Sequence, residues 1–333
     1  MAISIYKKEQ IAHSVIKVLH SRFNSFPFED GLNRNAPFHV AFMQAFKDNL
    51  ERRVKNIPDF ISLASWMHGL STSLGESFFE NVAHILCDGE KRSFTSKKIF
   101  SKQVSSISDI MIDLKNSAEV PSVEREDAII RKNARGKRQI ASNFTVDCFY
   151  ESATEVVAIE LKSVRPNSGE MRGEKQKILI GKAVLSEIYP NKNIKYLFGF
   201  PFDPTSDSNT GYNKQRFLNY LIEAEKFIAH DDFLIADELW SFLASSNGAM
   251  QEILEIINRI ASPNFMDKFN VLRDENTSRD EKRKIMEEWY LFSEIQIMDN
   301  VCLNKTNDRL YNQLIFKNDG TYNTNRLRLL NDI

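Results

Sequence analysis

Cysteine is scarce in this chain: three in 333 residues, at Cys87, Cys148 and Cys302, far apart and with no CxxC pair. That spacing excludes a zinc ribbon or a disulfide framework and suits a reducing compartment. The six histidines fall in no HxH or HExxH arrangement, so they read as ordinary residues and not as metal ligands. No GxxxxGK[ST] loop occurs, which argues against an intrinsic ATPase or translocase. No stretch approaches the ~18 apolar residues of a membrane helix, and Met1-Ala-Ile-Ser-Ile-Tyr-Lys-Lys8 holds no apolar run of signal length. A soluble, unexported protein is expected. Internal repeats and low-complexity segments are also missing. Net charge is small, −1 from 44 Lys+Arg and 45 Asp+Glu, so any surface for a polyanion must come from local clustering.

What is present is a large apolar share, 42% of residues, enough for one large domain or two modest ones. Gln10 to Phe23 places Ile11, Val15, Ile16, Val18 and Leu19 close to a 3.6 period, which predicts a helix. Asn35 to Val54 offers a second, with Asn35 as a cap before Pro37. Ser71-Thr-Ser-Leu-Gly-Glu76 carries a helix-start signal, followed by a stripe of Phe78, Phe79, Val82, Ile85 and Leu86. Ser108-Asp-Ile-Met-Ile-Asp-Leu-Lys115 alternates and reads as a strand; Val123 to Ala134 reads as a charged helix. A helix from about Glu174 to Ile188 then leads to a strand, Ile194 to Pro201. Tyr- and Phe-rich helices fill 212–262, and Ser278 to Glu294 reads as one polar helix. Trp240, beside Leu239 and Phe242, reads as core.

Between the charged helix and the helix at Glu174 lie two apolar segments, Phe144-Thr-Val-Asp-Cys-Phe-Tyr150 and Glu155-Val-Val-Ala-Ile-Glu-Leu-Lys162. They read as a hairpin with its turn at Ser152 to Glu155. Paired positions then sum to 307, which sets Asp147 across from Glu160, with Cβ atoms roughly 4.5–5.5 Å apart. Lys162, two residues on, shares Glu160's face. Charges are costly inside apolar strands unless paired. Two carboxylates and an ammonium converging on one spot make a layout suited to a divalent cation beside a phosphate. A one-residue slip would turn Asp147 to the other face. A rival triad, Asp109, Asp113 and Lys115, shares a face of the expected strand at Ser108–Lys115, but no hairpin partner supplies it with a further acid.

Asp147 in Thr-Val-Asp-Cys and Glu160-Leu161-Lys162, in that order on a hairpin, resemble the PD-(D/E)XK nucleases, most closely type II restriction endonucleases. The Arg172-Gly-Glu-Lys-Gln-Lys-Ile helix and the Phe198-Gly-Phe-Pro-Phe202 strand look like the TdeIII family of these enzymes. Val146 stands where the pattern has proline. The resemblance implies an α/β fold of the mixed α+β kind, a PD-(D/E)XK core whose mixed sheet is flanked by helices. Residues 71–245 would form that core, with helical additions at 1–70 (dimerisation or DNA contacts) and 246–333. It implies Mg2+-dependent hydrolysis of both strands of a short palindromic DNA site by a cytoplasmic, prokaryotic homodimer, leaving 5′-phosphates. A GC-rich site such as GGNCC and a cognate DNA methyltransferase as functional partner come with it. Asp147, Glu160 and the Leu161 carbonyl would hold the metal, and Lys162 would orient the attacking water. A further acid is expected from the first core helix, Glu80 in preference to Glu76.

Cations near the hairpin complete the expectation. Arg131, Lys132, Arg135, Lys137 and Arg138 precede it; Arg165, Arg172, Lys175 and Lys177 follow it. Arginine forks match guanine O6 and N7, so Arg165 and Arg172 are the expected base readers, with Lys175 and Lys177 on phosphates. Two other readings stay open: a different metal-dependent nuclease on the same fold, and a DNA-binding relative without catalysis.

Overall fold

The structure is a computed structural model that describes residues 3–24, 37–50, 57–162, 168–304 and 314–331. The chain divides into two units, Met1–Ile85 with Gly248–Ile333, and Leu86–Asn247. The two helical additions, separate along the sequence, thus belong to one unit.

The first unit opens with α1 (Ile5–Phe23), started by Ser4, whose hydroxyl accepts from Lys7 N at 3.3 Å. Its apolar stripe, Ile11, Val15, Ile16 and Leu19, is fully buried. α2 (Pro37–Met43) and α3 (Lys47–Leu50) follow; Asn35, the expected cap, lies outside the described residues. α4 (Ile57–Ser73) runs through a π turn at Leu74–Phe78 into α5 (Phe79–Cys87), so no helix starts at Ser71. The hydroxyls that mimic a cap bond backwards instead: Thr72 to His68 O at 3.0 Å, Ser73 to Gly69 O at 2.9 Å and Ser77 to Ser73 O at 2.7 Å. Such bonds keep these side chains inside a continuous helix.

The second unit is built on a five-stranded sheet of order β1-β4-β5-β6-β7, with β1 Glu90–Phe94, β4 Phe144–Glu151, β5 Glu155–Leu161, β6 Asn193–Phe200 and β7 Phe233–Ile235. β1, β4 and β5 pair antiparallel, whereas β5–β6 and β6–β7 are parallel. A separate two-stranded ribbon joins β2 (Lys98–Phe100) to β3 (Arg138–Ile140). The helices of this unit are α6 (Ser101–Lys115), α7 (Val123–Lys132), α8 (Ser168–Ile188), α9 (Lys214–Tyr220) and α10 (Asp237–Ala244). α8 is the crossover between β5 and β6 and packs on β6, while α6 and α7 pack on α8. This is the mixed sheet flanked by helices that the sequence implied.

Two expectations need correction. Ser108–Lys115 is the end of helix α6 and not a strand. Ile107, Ile110, Met111 and Leu114 are buried at helical spacing while Asp109 and Asp113 are exposed, so the rival triad is a solvated helix face. β7, three residues long, is a strand in a stretch expected to be helical. Trp240 is fully buried, as expected, and its indole N–H donates to Pro201 O at 2.8 Å.

The chain returns to the first unit through α11 (Ala249–Ile260), which packs on α1 and α2, then α12 (Phe265–Arg273), α13 (Arg279–Glu288) and α14 (Phe292–Asn304). The single helix expected over Ser278–Glu294 is broken at Tyr290, whose φ is +57°. Buried Glu294 is gripped by Arg326 through both oxygens, each at 2.7 Å, and accepts from Tyr322 Oη at 2.7 Å. No helix among the described residues is long and apolar enough to cross a membrane.

Candidate active site

The β4–β5 ladder runs Glu151↔Val156, Tyr150↔Val157, Phe149↔Ala158 and Cys148↔Ile159. Each pair sums to 307, the register set by a turn at Ser152–Glu155. The next step sets Asp147 against Glu160. There the ladder gives way to a side chain: Leu161 N donates to Asp147 Oδ2 at 3.0 Å. The C-terminal end of β5 therefore meets the middle of β4 around the aspartate carboxylate.

Glu160 is 3% exposed. Burial, with Asp147 nearby, pushes its carboxyl up to about 7, against the opposing pull of Lys162 and Lys177. Lys162 Nζ lies 3.1 Å from Glu160 Oε1 and donates to Glu174 Oε1 at 2.8 Å. Burial works against the Lys162 charge, but Glu160 and Glu174 outweigh it, so the ammonium is held above its ordinary range. Lys177 Nζ pairs with Glu160 Oε2 at 2.6 Å and lies 3.5 Å from Glu174 Oε2. On the other side, Lys91 Nζ is 3.7 Å from Asp147 Oδ1. Glu90 pairs with Phe149 and Arg92 with Val146, so the single residue Lys91 of β1 faces both Asp147 and Cys148, and the bulge lies in β4. Bulges re-aim side chains, and this one falls on Asp147 itself, opposite Lys91.

Asp147, Glu160 and Lys162 come together in the structure as the sequence led one to expect. Glu174 and Lys91 join them unannounced, and Lys177, expected on DNA phosphates, lies in the site instead. Helical spacing could have found Glu174: it is i−3 to Lys177, on the helix that crosses over from the Glu160 strand. Nothing in the sequence marks the bulge of β4 at Asp147–Cys148 that faces Lys91.

Lys175 is a correction. It is fully buried, with Nζ 2.7 Å from Glu126 and 2.7 Å from Asp232, and both acids raise its proton affinity against the cost of burial. An ammonium so enclosed ties α8 to α7 and to the segment before β7, and does not face a phosphate. Arg172 is exposed on α8, and Arg165 lies outside the described residues. Arg135 and Lys137 are exposed; Arg138 is exposed and pairs with Glu187 at 2.7 Å. Lys97, Lys98 and Lys102, not among the expected DNA cations, are exposed at the same ribbon. No acid occurs from Thr95 to Ser108 or from Ala128 to Val146, so the ribbon segments themselves carry only positive charge, with Glu187 of α8 the acid that meets them at Arg138. Glu76 is exposed in the π turn and Glu80 half-buried in α5, both in the first unit; only the resemblance speaks for them.

Two features suit a hard divalent cation. Asp147 and Glu160 present opposed carboxylates, the oxygen donors such ions take. Tyr196 Oη is buried with no hydrogen-bond partner among the described residues, and burial plus the charges of Glu160, Glu174 and Asp147 hold it protonated. A buried hydroxyl beside three acids calls for a polar neighbour such as water. Among the described residues no three His, Cys, Asp or Glu side chains could hold an ion by themselves. The site fits an ion completed by backbone, water or phosphate oxygens.

Comparison with known proteins covers most of the chain. Residues 5–261 match the family described as type II restriction endonuclease, HinfI. The type II restriction enzyme MjaII of Methanocaldococcus jannaschii is 42% identical, over 96% of this chain and 94% of that protein. No solved structure matches. The finer likeness to the TdeIII group has no counterpart in these matches. With hairpin, sheet and sequence in agreement, the chain belongs to the HinfI family of type II restriction endonucleases and is a site-specific deoxyribonuclease.

Proposed function

We propose that Asp147, Glu160 and Lys162 are the hydrolytic centre of a Mg2+-dependent enzyme that cuts both strands of a short palindromic site and leaves 5′-phosphates. The observation that supports this best is the convergence of the three groups where the end of β5 meets the middle of β4, with Lys162 Nζ 3.1 Å from Glu160. Asp147, Glu160 and the Leu161 carbonyl would hold the ion. When bound, it supplies positive charge at the scissile phosphate and makes a nearby water more acidic. The chain's own groups do the rest. Leu161 N–H fixes the Asp147 carboxylate. Lys162, kept protonated between two acids, orients the attacking water and steadies negative charge as it grows on the phosphoryl oxygens.

The duplex would lie along the ribbon, where Arg135, Lys137 and Arg138 join Lys97 and Lys98 on phosphates. Arg172 and Arg165 would read base edges. A palindrome calls for two equivalent centres, hence a homodimer; the likeness to TdeIII favours a GC-rich GGNCC-type sequence. A cognate methyltransferase would protect the host's own sites in the cytoplasm.

The test is incubation of purified protein with phage DNA, with and without Mg2+. Discrete bands that need the ion support the reading, whereas smearing or structure-specific nicking favours another nuclease of the same fold. Asp147→Ala, Glu160→Ala and Lys162→Ala should each abolish cleavage while leaving the fold and much of the DNA binding. Near wild-type cutting by any of them removes that residue from the centre.

A further inference from the structure

Four side chains close a ring of alternating charge. Glu160 Oε1 meets Lys162 Nζ at 3.1 Å, and Lys162 meets Glu174 Oε1 at 2.8 Å. Glu174 Oε2 meets Lys177 Nζ at 3.5 Å, and Lys177 returns to Glu160 Oε2 at 2.6 Å. Each Glu160 oxygen thus lies at ion-pair distance from an ammonium group, and the carboxylate is buried. A divalent ion that takes Glu160 as a ligand meets an ammonium at either oxygen and is repelled by it unless the amine withdraws.

The two amines are held differently. Lys162 sits between two acids at close range. Lys177 has one close partner, Glu160, and one distant one, Glu174, and its side chain is the more exposed, 24% against 14%. It also rides on α8, where Glu174 is one helical turn away on the same face.

We propose that Lys177 is an internal counter-ion of Glu160 that competes with the cation and is drawn off by a DNA phosphate. This rests on the reading of Glu160 as a metal ligand. In the free protein the ammonium competes with the ion, so cation binding is weak. A DNA phosphate offers Lys177 another anion, frees Glu160 and tightens the ion. By linkage the ion must tighten DNA to the same degree. A nuclease so arranged assembles its centre only on DNA.

The experiment is calorimetric titration with Ca2+, which permits binding to be read apart from activity, on the protein alone and with a duplex carrying the site mapped from phage DNA. DNA should tighten Ca2+ on the wild type by on the order of tenfold. Lys177→Met should bind Ca2+ on the order of tenfold more tightly without DNA and gain less than about twofold from it. Lys177→Arg should restore the wild-type pattern. Lys177→Gln gives the same pair of titrations should the Met variant fold poorly. The inference is overturned if the neutral variant leaves DNA-free affinity unchanged, or if DNA tightens Ca2+ on it as much as on the wild type. General electrostatics would tighten the ion but preserve that gain. Glu160→Gln separates the underlying premise: if it binds Ca2+ as the wild type does, Glu160 is no ligand and the site reading itself fails.

Discussion

Glu160 shows how one residue carries both the chemistry and its cost. Its carboxyl is raised to about 7, so the proton competes with a cation across the neutral range. Lowering the pH from 8 to 6 should weaken Mg2+ binding by about tenfold or less, and the cleavage rate at limiting Mg2+ should fall with it. A flat pH profile would contradict the raised value. Stability has the opposite sign. The folded form holds this proton more tightly than the unfolded chain, so metal-free protein loses stability as pH rises from about 4.5 to about 7 and levels off above. The positions of Asp147, Glu160 and Lys162 were legible because alternation and one turn length fix them. Lys175 and Lys177 were not separable by residue type. Two positions on a helix differ by about 200°, so one ammonium enters the core and its neighbour enters the site. Only the packing of α8 decides which.

At the scale of elements, α8 is the part that must be placed accurately, since it delivers Glu174, Lys177 and Lys175 to different surroundings. It approaches β6 closely at Gly181. A Cβ there would sit 2.3 Å from Tyr196 Cε1 and 2.7 Å from its Cδ1. Gly181→Ala should therefore destabilise the protein by about 1–3 kcal/mol and lower the cleavage rate further than a smaller folded fraction explains, because α8 must lift. Denaturant unfolding and cleavage at saturating DNA would show both effects, and an unchanged rate would mean the helix position is not critical. The elements misread from sequence share one cause: a local signal with two physical solutions. Ser108–Lys115 fits a period of two and of 3.6, and its N-terminal extension over Ile107 decides for helix. Ser71–Ser73 offers hydroxyls that cap or bond backwards. Phe233–Ile235 is too short to show any period.

The whole molecule has almost no net charge, yet must attract a polyanion, so field shape matters more than total charge. The acid-free ribbon segments supply that shape. Replacing Lys97, Lys98 and Lys137 together by Gln should flatten the plot of log binding constant against log salt by about 0.9 for each phosphate no longer neutralised, while leaving the sequence preference intact. An unchanged slope would mean the duplex lies elsewhere. At this scale the sequence foretold a sheet with helices but not the joining of the two ends of the chain into one unit. That joining depends on long-range pairs such as Ser293 with Glu9 and Lys8 with Glu252, and on α11 against α1, which no local pattern announces.

The turn between β4 and β5 works as a ruler. It lies roughly 17 Å of strand from Glu160, has no chemistry of its own, and yet decides which carboxylate the glutamate meets. Adding one residue beside Ala153 should leave a folded protein that still holds DNA but no longer cuts it, since Asp147 would turn its back on Glu160. Natural drift must keep the length of that turn, whose backbone is also held by the Ser152 hydroxyl accepting from Thr154 N and Glu155 N, and anyone grafting a tag or label there inherits the same constraint.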